Sequence, residues 1–165
     1  MITHYYGIFN TPLGVMRVCD DGEAILEVRF LDSIMTDSKK NTLNTSTQSP
    51  LTRLTMQQLE EYFAKKRTNF KLPLRPNGTA FQQCVWMALR TIPYGTICHY
   101  GNIAKMIQQP NSARAVGGAN HRNPIAIIIP CHRVISASGK LCGYAGGMDR
   151  KLALLELEGV KDLKI

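Results

Sequence analysis

The 165-residue sequence lacks any uninterrupted apolar run near the roughly 18 residues that a membrane-crossing helix needs. Its opening, Met1-Ile2-Thr3-His4, has neither the basic head nor the apolar stretch of a secretory leader, and a soluble protein is expected. The cysteines also lack close-spaced pairs. Cys19, Cys84, Cys98, Cys131 and Cys142 make an odd set of five, which argues against a disulfide framework and against a four-thiolate metal site. Two Cys-His dipeptides occur, Cys98-His99 and Cys131-His132, but neighbouring residues seldom ligate one ion together, so no metal is expected. A reducing, cytoplasmic location fits this cysteine usage. Acidic residues are few: 12 Asp and Glu face 20 Lys and Arg, a net charge of +8. That balance favours a polyanionic partner, and Arg114, His121, Arg122, Arg133, Arg150 and Lys151 all fall in the half of the chain around Cys131.

What the sequence does have is the stretch Pro130-Cys131-His132-Arg133, placed after the apolar run Ile125-Ala126-Ile127-Ile128-Ile129. The run reads as a buried strand that stops at proline and presents the next side chains to a pocket. Cysteine attacks as the thiolate, and an imidazole nearby either removes its proton or stabilises the anion. Successive strand residues point to opposite faces, so Cys131 and His132 cooperate across a turn or through a bridging water. The plainer alternative is a buried apolar cysteine beside a surface histidine.

The first third of the chain reads as strands. His4–Phe9 and Gly14–Cys19 flank the turn Asn10-Thr11-Pro12-Leu13, and Ala24–Phe30 extends the sheet. From about Met35 to Arg53 the composition is that of a solvated loop, followed by a helix from about Leu54 to Lys65. Leu72–Gly78, rich in proline, reads as a linker, giving domains over 1–76 and 77–165. The second domain opens with a capping box, Thr79-Ala80-Phe81-Gln82, on a core helix that ends before Pro93. Two short helices follow, at about Tyr100–Gln108 and Ser112–His121, around the turn Gln109-Pro110-Asn111, a helix-turn-helix arrangement. Ala113, Ala115, Gly117, Gly118 and Ala119 strip the second of bulk, which serves either tight helix packing or close approach to a DNA backbone, with Arg114 projecting. Gly143-Tyr144-Ala145-Gly146-Gly147 precedes a last helix from about Met148 to Glu158, closed by Gly159.

Together, Tyr100, Ala113–Gly118, Asn123-Pro124, Ile129–Val134 and Gly143–Gly147 resemble the O6-alkylguanine-DNA alkyltransferases (methylated-DNA-protein-cysteine methyltransferases), most like the stand-alone bacterial type. The similarity in motif order runs from about Phe81 to Gly159, and Thr11-Pro12-Leu13-Gly14 looks like their amino-terminal domain. The resemblance implies an α/β (α+β) protein with a small ribonuclease-H-like amino-terminal domain and a winged helix-turn-helix carboxy-terminal domain. It implies Cys131 as alkyl acceptor, His132 as base through a water, Glu158 orienting the imidazole, and Asn123 holding the active-site loop. Tyr100 would assist the leaving guanine and crowd the phosphate. Arg114 would fill the stack left by a flipped base, with Ala113, Ala115, Gly117, Gly118, Asn120, His121 and Arg122 along the DNA surface. Tyr144, Ala145 and Gly146 would line the base pocket near Lys151, and the carbonyls of Cys131 and Val134 would read the exocyclic amine.

The partner so implied is double-stranded DNA carrying O6-alkylguanine or O4-alkylthymine, bound by a monomer through the minor groove, with no cofactor and no membrane. A target inside the duplex must be flipped out at a few kcal/mol, and the resulting thioether has no route back, so each molecule reacts once. Two other readings compete: a non-catalytic alkyltransferase-like lesion binder, against which Cys131 speaks, and a thiol hydrolase using Cys131 and His132.

Overall fold

The computed structural model describes residues 3–31, 47–141 and 143–163. Residues 35–46 of the expected loop, and Cys142, lie outside the described residues. The chain divides into two compact units: Met1–Pro76 with Pro124–Ala126, and Asn77–Asn123 with Ile127–Ile165.

In the first unit β1 (Tyr5–Thr11), β2 (Gly14–Asp20) and β3 (Ile25–Phe30) form an antiparallel sheet in that order. Thr11 pairs with Gly14, so the hairpin loop is only Pro12-Leu13. The far edge of β3 is covered by two short extended segments. Ile25 exchanges backbone hydrogen bonds with Pro73 and Arg75, and Val28 does so with Pro124 and Ala126. The linker expected over Leu72–Gly78 is therefore partly built into this unit, with Leu72 buried.

Helix α1 (Pro50–Phe63) packs on β1 and β2 and begins four residues before the expected start. The polar composition of this stretch conceals a capping box, in which the Ser49 hydroxyl accepts from Thr52 N–H and the Thr52 hydroxyl accepts from Ser49 N–H. Pro50 at the first helical position adds to it, since its missing N–H would have no partner there. Both hydroxyls donate to the wholly buried Asp20 carboxylate, tying the end of β2 to the start of α1. The helix sits so close to β1 that a Cβ on Gly7 would lie 2.7 Å from the Met56 sulfur.

The second unit is mainly helical. Helix α2 (Ala80–Leu89) carries the expected capping box, Thr79 with Gln82. It packs against α3 (Tyr100–Met106) and α4 (Ala113–His121), and the Trp86 indole donates to Ala119 O at 2.9 Å. Val85, Trp86, Leu89, Ile103 and Val116 form the core of this trio. Strands β4 (Cys98–His99) and β5 (Val134–Ile135) make a two-residue parallel ladder. Helix α5 (Met148–Leu157) closes in a Schellman motif: Gly159, at φ +87°, donates to Glu156 O, and Val160 N–H reaches back to Leu155 O.

The apolar run is not a strand. Ile125 makes a single bridge and the chain then turns, with Ile127 at φ +71°. Burial explains the composition, because Ile125, Ile127 and Ile129 are almost wholly inaccessible; a short apolar run looks alike in a strand and in a packed turn.

Replacing Thr79 by Ala removes the α2 cap and should lower stability by about 1 kcal/mol, read as a reduced denaturant midpoint at unchanged slope.

Candidate active site

Pro130 sits at φ −80°, ψ 63°, with Cys131 N–H donating to Ile129 O at 2.8 Å, an inverse γ-turn. It leads straight into a 3-10 turn, Cys131–Arg133, which replaces the strand end expected there. Three consecutive side chains of this turn are thereby fanned into the interior, and Cys131, His132 and Arg133 are all buried. The neighbouring backbone is clamped by amides. Asn123 Nδ2 donates to Ile129 O at 2.8 Å, and Asn120 Nδ2 donates to Cys131 O at 3.2 Å.

Glu158, the residue that caps α5, supplies the site's carboxylate. Its Oε2 meets His132 Nε2 at 2.7 Å and Arg133 Nη2 at 3.1 Å. Its Oε1 accepts from Arg133 Nε at 2.8 Å and from Gly95 N–H at 3.2 Å. Burial alone would raise the Glu158 carboxyl, but the hydrogen bonds and charges of His132 and Arg133 outweigh it and hold the group far below the usual carboxylate range. Burial pushes the His132 imidazole down, against the pull of Glu158, and Arg133 and Lys151 add to that push. The ring is therefore neutral, donating Nε2–H to Glu158. Its other nitrogen, Nδ1, is buried with no hydrogen-bond partner, an open acceptor one residue from the thiol.

Burial also pushes the Cys131 thiol up, opposed by a hydrogen bond from the Asn123 side chain and by the charge of Lys151. The resting sulfur is protonated. Lys151 is wholly buried and donates to Val134 O at 2.6 Å. Tyr144 is buried with its hydroxyl unpartnered; desolvation first, then the neighbouring Cys131, raises its pKa well above the ordinary value. Ala145 is exposed, and Gly146 O accepts from Arg150 Nη1 at 3.0 Å.

The residues assigned to a DNA surface separate into two groups. Arg114, Ala115, Gly118, His121 and Arg122 are exposed along α4, Ala113 and Gly117 are half-buried, and a Cβ on Gly117 would stand 3.9 Å from the Tyr100 ring. Asn120 corrects the expectation: it is only 2% exposed and braces the Cys131 carbonyl instead of facing outward. Its place follows from helical spacing, since Val116 and Asn120 are four residues apart on one buried face. Arg133 and Lys151 are likewise interior cations, not part of an outward basic cluster. The carbonyls of Cys131 and Val134 are already engaged, the first by Asn120 and Val134 N–H and the second by Lys151. A base amine bound there must share or displace these donors.

Two contributors escaped the sequence reading, the Gly95 amide and the Arg133 fork. One signal for the second was available. No Asp or Glu occurs between Glu61 and Asp149, so a buried cation in this unit has few carboxylates to meet, and Glu158 is among them.

A three-stranded sheet unit, a mainly helical unit and a buried thiol beside a His132–Glu158 pair are the features that a family must account for. Residues 4–76 match the family model of the 6-O-methylguanine DNA methyltransferase ribonuclease-like domain, and residues 80–160 match that of its DNA binding domain. The chain is 49% identical over 157 residues to the methylated-DNA–protein-cysteine methyltransferase of Methanosarcina acetivorans, covering 94% of this chain and 98% of that protein. It is similar to the crystal structure of Mycobacterium tuberculosis O6-methylguanine methyltransferase, with a TM-score of 0.82 at 46% identity over 94% and 93% of the two chains. A crystal structure of Mycobacterium tuberculosis OGT in complex with DNA matches with a TM-score of 0.82 at 46% identity over 93% and 92%. The chain belongs to the 6-O-methylguanine DNA methyltransferase family.

His132 and Glu158 both bind protons more readily in the unfolded chain, the first below about pH 6.5 and the second below about pH 4.5. Their contribution to stability is complete above pH 6.5 and declines as pH falls, first through His132 and then through Glu158. Thermal melts between pH 8 and pH 4 should show a falling midpoint. Glu158→Gln, less stable throughout, should show a shallower decline below pH 4.5.

Proposed function

We propose that this protein repairs DNA by moving an alkyl group from O6-alkylguanine irreversibly onto its own Cys131. The observation that carries this reading is a buried Cys131 next in sequence to a buried His132 whose Nε2 meets Glu158 at 2.7 Å and whose Nδ1 has no partner. In the proposed sequence the lesion is flipped out of the duplex into the site. His132 Nδ1 takes the thiol proton through a bridging water, and Glu158 steadies the imidazolium that forms. Thiolate sulfur then attacks the alkyl carbon, forming an S–C bond as the C–O6 bond breaks and its electron pair passes to the guanine ring. Tyr100 assists by donating a proton or hydrogen bond to the leaving base, and the proton held by the imidazolium is returned to make the balance, so the products are neutral guanine, a thioether and the neutral side chains of Tyr100 and His132. O4-alkylthymine would react in the same way.

Asn123 holds the loop and stabilises the anion by its hydrogen bond to the sulfur. Tyr144, Ala145 and Gly146 line the base pocket, and Lys151 favours the thiolate by charge. Arg114 fills the vacated stack while the slim α4 surface lies in the minor groove, with Arg122 and His121 toward phosphate. The repair unit is a monomer of two domains, 1–76 and 77–165, working in the cytoplasm, where reduced thiols persist. The four described cysteines Cys19, Cys84, Cys98 and Cys131 are free, in keeping with that compartment.

Incubation with duplex carrying labelled O6-methylguanine should move label to protein one-to-one, and Cys131→Ser should abolish it. Turnover beyond one equivalent, or transfer surviving the substitution, would refute the mechanism. Arg114→Ala should slow repair in duplex much more than reaction with free O6-benzylguanine; equal losses on both substrates would contradict its role.

A further inference from the structure

Glu158 holds more donors than the orientation of one imidazole requires. His132 contributes one, the Arg133 fork two and Gly95 a fourth, so the roughly four acceptor positions of a carboxylate are filled. The guanidinium is itself fixed, with Nη1 donating to Ile92 O at 2.7 Å and its central carbon 5.8 Å from the centre of the Tyr94 ring. This fork reaches across 25 residues of sequence and is buried throughout.

A buried carboxylate facing only His132 would draw a proton onto the ring, because an imidazolium–carboxylate pair is less costly in the interior than a bare anion. A protonated ring has no free lone pair on Nδ1 and accepts nothing from a thiol. We infer that Arg133 is a positioning residue: its positive charge against Glu158 keeps His132 as the neutral Nε2–H tautomer, with Nδ1 left as an acceptor. This inference rests on the proposed role of His132 as base and names what makes that role available at neutral pH.

The charged and titratable groups around the ring are consistent with it. Glu158 comes from the end of α5, Lys151 from within α5, Arg133 from the same turn, and Cys131 precedes the ring. Arg133 and Lys151 already set two cations against one anion, so protonating His132 would add a third positive charge beside a single carboxylate. Charge, more than shape, is the property Arg133 contributes.

The test separates charge from hydrogen bonding in the free protein. Arg133→Gln keeps amide donors and loses the charge; Arg133→Lys keeps the charge and loses the fork. With ¹⁵N-labelled histidines and His132 assigned by His132→Gln, ring signals are followed from pH 5 to pH 8.5, and single-turnover transfer is timed over the same range. Wild type and Arg133→Lys should keep the neutral His132 pattern. Arg133→Gln should show His132 becoming imidazolium within the range, with transfer falling about tenfold per pH unit below the new midpoint. A neutral ring and an unshifted profile in Arg133→Gln would overturn the inference, leaving Arg133 a structural brace. Should Arg133→Gln not fold, Arg133→Met, which keeps the side-chain length and loses the charge, takes its place: an imidazolium within the range supports the inference and a neutral ring overturns it. The titration needs no alkyl transfer, so failure of wild-type Cys131 to take label would sink the proposed function without altering this readout.

Discussion

The saturated carboxylate of Glu158 is the contact on which the rest of the site depends. It closes helix α5 at one end and receives the imidazole, the guanidinium fork and the Gly95 amide at the other. Four donors make an anion affordable in an interior that would otherwise expel it, since a buried charge is tolerable only when paired and hydrogen-bonded. Once the carboxylate is fixed, the tautomer of His132 is fixed with it. Its other nitrogen is then left as a buried acceptor without a partner. The Schellman closure at Gly159 matters for the same reason: it ends the helix where its last carboxylate can turn inward.

Around that anchor the site is arranged in opposition. Burial holds the thiol protonated, while the Asn123 hydrogen bond and the Lys151 charge favour the anion. Burial is the larger influence, and the thiol's pKa is raised. The backbone carbonyls of Cys131 and Val134 beside it are engaged by Asn120 and Lys151.

Much of the fold was legible in local sequence. The Thr79–Gln82 box, the Gly159 stop and the Pro12-Leu13 hairpin are short-range signals whose chemistry is complete within a few residues. The start of α1 was concealed because Ser49, Pro50 and Thr52 read equally as loop composition until the hydroxyls find one another and Asp20. The isoleucine run misled for a different reason: hydrophobicity reports burial, and burial does not distinguish a strand from a packed turn. In the site, Cys131, His132 and Glu158 were named through motif resemblance; all three are buried, and His132 meets Glu158. The Arg133 fork depends on a partner far along the chain, and no local pattern encodes such a meeting. Asn120 was assigned to the wrong face although its four-residue spacing from Val116 already placed it inward.

A sulfur closed off from water is closed off equally from the small electrophiles dissolved in it. In a cell under methylating attack the same agents that scar guanine also consume exposed thiols, and a protein usable once has no means of recovering from such an encounter. A buried sulfur that stays protonated is a poor target for such agents, and each copy is spared. Resistance to accidental inactivation then comes from interior solvation, and needs no separate protective device.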